Sequence, residues 1–102
     1  MYKWIRTTRV SNGRFPQAIG WAKEVAGLAQ KKFGVSQCRV YMDSVGEIGT
    51  LRWEIDYPDL ATYEKTMNAV MTDQEYWQFI AKAQADQLFI DGSAHDYLLK
   101  QL

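Results

Sequence analysis

The residues best suited to catalysis are one histidine and one cysteine, far apart in the chain. His95 is the only side chain whose ordinary pKa lies near neutrality, so it is the candidate general base. The alternative is a surface or interface histidine beside Asp96. Cys38 has the alternation of a buried strand residue, and no local catalytic motif supports a nucleophilic role. Catalytic zinc normally takes three protein ligands, and none cluster around His95, so we predict no metal site.

Two further sets of side chains are candidates for binding a ligand. One set would orient an anionic or phenolic molecule from adjacent strands of a predicted hairpin, and it comprises Arg39, Tyr41, Arg52 and Glu54. The alternative is that these residues form cross-strand ion pairs, each worth from tenths of a kcal/mol to about 1 kcal/mol. The other set would line an apolar pocket under the sheet, and it comprises Met67, Met71, Trp77 and Phe79. Residues at that helical spacing are commonly plain core, which is the alternative there.

The elements that must position these residues are predicted from hydrophobic spacing. A strand over residues 2–10 precedes an Asn-Gly turn and a helix with Pro16 in its first turn, and this helix ends at Gly34. Residues 35–44 and residues 51–57 then alternate as two strands around the glycine-containing hairpin loop VGEIG.

The second helical region is predicted to start after a strand and to break once. Pro58 closes the third strand because it cannot donate to the sheet, and Asp59 is the predicted N-cap. Thr72 and Glu75 have the spacing of a capping box, so the helix is predicted to restart there. A last strand is predicted within residues 93–102.

Length and composition indicate one globular domain over residues 1–102. The chain is 47% hydrophobic and 14% aromatic. No apolar run resembles a signal peptide or spans a membrane, and a lone cysteine fits a reducing compartment. We therefore expect a soluble, cytoplasmic protein.

The charges are unevenly distributed although they sum to zero. Residues 1–40 hold eight Lys or Arg and one acidic residue, whereas residues 41–102 hold four and eleven. A basic half is one signal of nucleic-acid binding. However, the third strand places Glu54 and Asp56 where phosphates would approach, and it has no Gly-Phe-Gly run of the kind that RNA-recognition modules carry. We therefore predict no nucleic-acid partner.

The element order β-α-β-β-α-β predicts an α+β, ferredoxin-like fold. Right-handed crossovers place both helical regions on one face of a four-stranded antiparallel sheet, with the first strand between the third and the fourth. The basic residues Lys3, Arg6 and Arg9 would then neighbour acidic residues, so the uneven charges of the two halves would offset each other. These acidic residues are Glu54, Asp56 and Asp96.

The other sheet face is left uncovered in this arrangement. Large residues on both sides of the strands predict that Tyr, Trp and Met side chains lie there, and exposed patches of this kind mark interfaces. The expected partner is a second copy of the chain, with the two sheets face to face in a dimeric α/β barrel. Trp21, on the flank of the first helix, is predicted to pack against something other than the main sheet.

Three segments carry a resemblance to a known family: residues 13–34, residues 46–80 and residues 92–102. The helix entry YPDLATYE and the break MTDQEYW carry most of it. On these residues the chain resembles the dimeric α/β-barrel superfamily, and within it NIPSNAP-like and antibiotic-biosynthesis-monooxygenase-like small proteins. The resemblance implies a sheet-to-sheet homodimer with a hydrophobic or mixed cavity between each sheet and its helices.

The resemblance also implies which cofactors to expect. Some members of the superfamily oxidise polycyclic phenols without a cofactor, and others bind or degrade haem. The haem-degrading kind combines an Asn on the first strand with a His and a Trp on the second helix. Here Thr7 and Thr8 lie on the first strand and the second helix has no His, so Trp77 alone does not rebuild the set. We therefore predict no cofactor.

The leading hypothesis is a small homodimer that binds a small apolar or aromatic molecule beside the sheet. The alternative is a cofactor-independent monooxygenase acting on a phenolic or polyketide-like substrate, in which His95 or a nearby Tyr assists proton removal. A third possibility is an accessory dimer without a ligand.

Overall fold

A computed structural model describes residues 1–102 as one four-stranded antiparallel sheet with three helices on one face. The elements are β1 (Tyr2–Arg9), α1 (Phe15–Lys32), β2 (Cys38–Met42), β3 (Thr50–Tyr57), α2 (Leu60–Met71), α3 (Gln74–Ala85) and β4 (His95–Lys100). The strand order is β2-β3-β1-β4. The predicted ferredoxin-like α+β topology is therefore confirmed, with β1 between β3 and β4 and with the second helical region divided in two.

The strand register determines which side chains face the helices. β3 alternates between buried and half-buried residues, and its buried residues Leu51, Trp53, Ile55 and Tyr57 point toward the helices. Trp4 lies opposite Ile55 and Arg6 lies opposite Trp53 on β1, so these two residues share the helix face. Their neighbours along β1 lie on the opposite face, which no helix covers and which we call the open face.

The two short helices each begin at an aspartate. Asp59 Oδ1 accepts a hydrogen bond from the Thr62 N–H at 2.7 Å, so the predicted N-cap of α2 is confirmed. The capping box predicted at Thr72 is wrong. Asp73 Oδ1 accepts from the Tyr76 N–H at 2.8 Å and caps α3, because the Thr72 hydroxyl is already used to close the end of α2.

The centre of the core is an aromatic cluster between α1, β3 and the segment before β4. Trp21, Trp53 and Phe89 pack edge-to-face, with ring centroids 5.4–6.2 Å apart. The prediction that Trp21 packs away from the sheet is therefore wrong. Trp21 contacts Trp53 of the sheet and also Phe89. Phe89 lies there because the segment before β4 forms a β-bridge with Val10.

The open face carries fewer large apolar residues than predicted. Trp4, Trp53 and Met42 all belong to the helix face, so the expectation of Trp and Met on the open face is wrong. Its exposed apolar surface comes instead from Tyr41, Tyr97 and Leu99. None of the three helices combines the length and hydropathy that a bilayer-spanning segment needs.

Candidate functional site

A small apolar chamber lies between the helix face of the sheet and the three helices. It is partly open to solvent and has a volume of about 90 Å³, and 15 of its 17 lining residues are hydrophobic. The lining residues used below are Trp4, Arg6, Ala29, Cys38, Tyr57, Thr66, Met67, Val70 and Tyr76. No residue of α2 is fully buried, although Thr66, Met67 and Val70 of this helix form one wall. The wall made by α2 is therefore the least firmly packed part of the chamber.

One residue that lines the chamber carries a buried polar atom without a partner. Trp4 Nε1 is buried and makes no hydrogen bond. The other three indole N–H groups each donate to a backbone carbonyl at 2.9–3.2 Å. These pairs are Trp21 with Phe79, Trp53 with Ala22 and Trp77 with Met71. Buried donors are normally paired, so Trp4 is the exception that needs an explanation.

Arg6 forms the polar end of the chamber. Its Nε and Nη2 donate to the two carboxylate oxygens of Asp96 at 2.6 and 2.8 Å, a bidentate geometry. Its Nη1 donates to Tyr76 Oη at 3.1 Å, and its guanidinium carbon lies 5.3 Å from the centre of the Trp4 ring. The bond to Asp96 raises the pKa of Arg6, so the guanidinium stays charged and is paired with that carboxylate.

Two other titratable groups in the chamber are neutral at physiological pH. Burial raises the pKa of the Cys38 thiol to about 11. Burial also raises the pKa of the Tyr57 phenol to about 12. Neither group is a base near neutrality. The chamber is therefore suited to holding an apolar molecule more than to removing a proton from it.

A larger and more polar cleft adjoins the chamber. It encloses about 700 Å³ between α3, β1 and the segment before β4. Both spaces share the side chains of Arg6, Trp21, Trp53 and Ile80 as walls. This volume lies within the usual range of about 300–1,000 Å³ for small-molecule sites. A molecule too large for the chamber would extend toward this cleft.

The predicted ligand residues are divided between the two faces of the sheet. Met67 lines the chamber. Trp77 lies outside it, with 43% of its surface exposed and its ring against Tyr76. The four strand residues all lie on the open face, away from Met67: Arg39, Tyr41, Arg52 and Glu54.

The open-face residues form cross-strand ion pairs. Arg39 Nη2 lies 3.1 Å from Asp56 Oδ2, and Arg52 Nη2 lies 3.5 Å from Asp43 Oδ1. Lys3 Nζ donates to an oxygen of Glu54 at 3.2 Å. These contacts match the alternative interpretation of the predicted set.

His95 also lies on the open face, exposed at the start of β4 opposite Thr7. It borders a polar depression of about 380 Å³ that Arg9, Arg52 and Tyr97 also line. The sheet separates this depression from the chamber. His95 therefore cannot act on a molecule held in the chamber of the same chain.

Three polar residues of the chamber were missed by sequence reasoning: Trp4, Arg6 and Tyr76. The alternation of β1 contained a usable signal, because Trp4 and Arg6 are two residues apart and must share a face. The contribution of Tyr76 depends on how α3 turns toward β1 after the break near Thr72. Sequence spacing does not supply that angle.

Several solved protein structures have the same fold as this chain. A NIPSNAP family protein from Agrobacterium tumefaciens str. C58 superposes with a TM-score of 0.79 at 15% identity, covering 99% of this chain and 92% of that chain. An uncharacterized NIPSNAP domain protein from Burkholderia xenovorans has a TM-score of 0.77 at 13% identity, with coverages of 100% and 95%. An antibiotic biosynthesis monooxygenase has a TM-score of 0.72 at 10% identity, with coverages of 100% and 99%. These similarities show the shared ferredoxin-like fold.

Sequence comparison is more specific about the family. No curated protein matches the chain. The family model described as NIPSNAP matches residues 2–100, which is nearly all of the sequence. The chain therefore belongs to the NIPSNAP family.

Proposed function

We propose that the protein is a homodimer that holds a small apolar or aromatic molecule in the chamber between its sheet and its helices. The observation that carries this proposal is the chamber itself, an apolar space lined by Trp4, whose indole N–H is buried and unpartnered. A protein interior normally fills such a space and pairs such a donor. A ligand would do both.

The size of the chamber indicates how a ligand enters. Benzene occupies an engineered protein cavity of about 150 Å³, larger than this chamber of about 90 Å³. An aromatic ring therefore requires one wall to move. We assign this movement to α2, because segments with few buried apolar contacts open at the lowest free-energy cost.

The open face supports self-association through the sheet. Every residue of β4 is exposed, and Tyr97 and Leu99 present apolar surface beside Ile5 on this face. The lysine and arginine side chains on the same face are each paired with a carboxylate, so a second copy would meet a surface without a large net charge. An apolar patch with compensated charges is suited to an isologous interface.

The geometry of the chamber does not favour the monooxygenase alternative. The structural neighbour named as an antibiotic biosynthesis monooxygenase shares the fold at 10% identity. Catalysis by general base needs a group near neutral pKa within reach of the substrate. His95 lies on the other side of the sheet, and the Cys38 and Tyr57 pKa values are raised to about 11 and about 12.

Two measurements test the two parts of the proposal. Light scattering should give twice the 11.8 kDa chain mass, and Leu99→Lys on the open face should reduce it to one chain mass. Leu102→Lys, at the fully exposed terminus, is the matched control and should remain dimeric. A wild-type protein of one chain mass would refute the dimer.

The ligand part is tested by titration with ethylbenzene in a calorimeter. We expect saturable binding of one molecule per chain. Absence of binding of ethylbenzene and of other single-ring probes would refute the ligand-holding function.

A further inference from the structure

We propose that the chamber selects a neutral molecule bearing a hydrogen-bond acceptor oxygen, such as an aryl ketone, and that Trp4 Nε1 donates to that oxygen. This inference rests on the proposed function and names the chemical class of its ligand. It assigns Trp4 as the residue that distinguishes a carbonyl compound from a hydrocarbon of the same shape.

The first argument is the cost of the unpaired donor. A buried N–H that makes no hydrogen bond loses its bonds to water and gains nothing in return. The chain avoids this cost at the other three tryptophans, each of which donates to a backbone carbonyl. At Trp4 no acceptor of the protein is within reach. An acceptor atom supplied by a ligand would remove the penalty.

The second argument is the kind of polar group that lines the chamber. No carboxylate, side-chain amide or imidazole is among its lining residues. Tyr76 Oη already accepts a hydrogen bond from Arg6 Nη1, so its own O–H is free to donate. Arg6 contacts both Tyr76 Oη and the Trp4 ring, so both of these side chains lie at the Arg6 end of the chamber. This end offers donors and needs an acceptor.

The third argument concerns charge. Arg6 is the one ionised side chain of the lining, and Asp96 already neutralises it through two hydrogen bonds. A ligand carboxylate would therefore enter an apolar space without a free counter-charge, which is expensive. A neutral carbonyl oxygen accepts a hydrogen bond from Trp4 without that cost. The chamber should accordingly reject benzoate and accept acetophenone.

The direct test is the indole region of a ¹H–¹⁵N correlation spectrum during titration with acetophenone. Four indole signals are expected, and Trp4→Phe identifies the one that belongs to Trp4. We expect this signal to move downfield as the new hydrogen bond forms. Ethylbenzene, which has a similar shape and no acceptor, should leave it without that downfield shift. The indoles of Trp21, Trp53 and Trp77 are internal controls because each already has an acceptor.

Calorimetry supplies the matching affinities. A neutral hydrogen bond of ordinary net strength makes acetophenone bind about twofold to tenfold tighter than ethylbenzene in the wild type. Trp4→Phe should abolish this preference, whereas Trp77→Phe, which changes an exposed tryptophan outside the chamber, should retain it.

The possible failures are distinguishable. Equal binding of both probes with an unmoved Trp4 signal would overturn this inference and leave the proposed function intact. Tighter binding of benzoate than of acetophenone would overturn the neutral class of ligand. Binding of none of the probes would overturn both proposals. If Trp4→Phe does not fold, the wild-type affinities for acetophenone, ethylbenzene and benzoate still test the class of ligand.

Discussion

Filling the chamber from α1 should stabilise the protein and block the ligand at the same time. Ala29 is half-buried and lines the chamber, and Ala29→Leu adds three carbon atoms there. Filling a space of about 90 Å³ is worth at most about 2 kcal/mol at roughly 24 cal/mol per Å³ of closed cavity, because this space is partly open to solvent. Burial of the added carbons contributes up to about 0.8 kcal/mol each, and overpacking strain opposes this by about 1–3 kcal/mol.

We expect a net gain of about 1–2 kcal/mol, because part of a leucine at this half-buried position stays in water. The assay is urea denaturation, with variants compared at one protein concentration because the stability of a dimer depends on it. Each kcal/mol of added stability raises the thermal midpoint by about 4–8 °C in a domain of this length. Ethylbenzene binding should be lost in the same variant.

The matched control is Ala81→Leu, which makes the same change at an exposed position of α3 outside the chamber. It should leave both the free energy of unfolding and ethylbenzene binding nearly unchanged. Two results would refute the reasoning. One is destabilisation by Ala29→Leu relative to this control, which would mean that the space is already filled. The other is unchanged ethylbenzene binding in a stabilised Ala29→Leu protein.

Three further predictions follow from single contacts. Cys38 should resist alkylation by iodoacetamide at pH 8 in the folded protein and react at once in urea, because burial raises the pKa of its thiol to about 11. The Lys32 ammonium and the Tyr76 N–H lower the pKa of Asp73 in the folded protein. The ionised carboxylate therefore stabilises the fold at pH values above the ordinary pKa of about 3.9. This contribution to stability is lost as the pH falls through the lower pKa of the folded state. Asp73→Asn keeps a capping oxygen and should flatten the acid side of the stability curve in urea titrations, and an unchanged slope would contradict the assignment. Trp53→Ala should cost about 3–5 kcal/mol in urea denaturation because its buried ring holds the core cluster, and a loss below about 1 kcal/mol would contradict this.

The order of elements was readable from the sequence because local signals agree with the global fold. β3 alternates apolar and charged residues, and Pro58 and Asp59 mark the change from strand to helix. These signals act within a few residues of each other. The strand order then follows from the handedness of crossovers and needs no knowledge of side-chain contacts.

The orientation of the sheet was not readable for a physical reason. β1 carries Trp4 on the helix face and Ile5 on the open face, so its alternation does not distinguish the two sides. At the helix break, Thr72 and Asp73 are both good capping residues. The choice between them depends on which hydroxyl or carboxylate is already engaged in the preceding turn.

The chamber was predictable only in outline. Met67 follows from helical spacing, and the resemblance to the superfamily implies a cavity in this place. Trp4 Nε1 is unpaired because the helices packed near it, which are distant in sequence, provide no hydrogen-bond acceptor. Such an absence leaves no local pattern, so it becomes visible only once the fold is known.

The measurement that tests the central claim most directly is the set of nuclear Overhauser contacts between ethylbenzene and the methyl groups of the protein. The proposal predicts contacts from the probe to the methyl groups of Met67 and Val70, which form the α2 wall of the chamber. Contacts restricted to Leu99 would place the probe on the open face instead. That result would contradict a ligand site between the sheet and the helices.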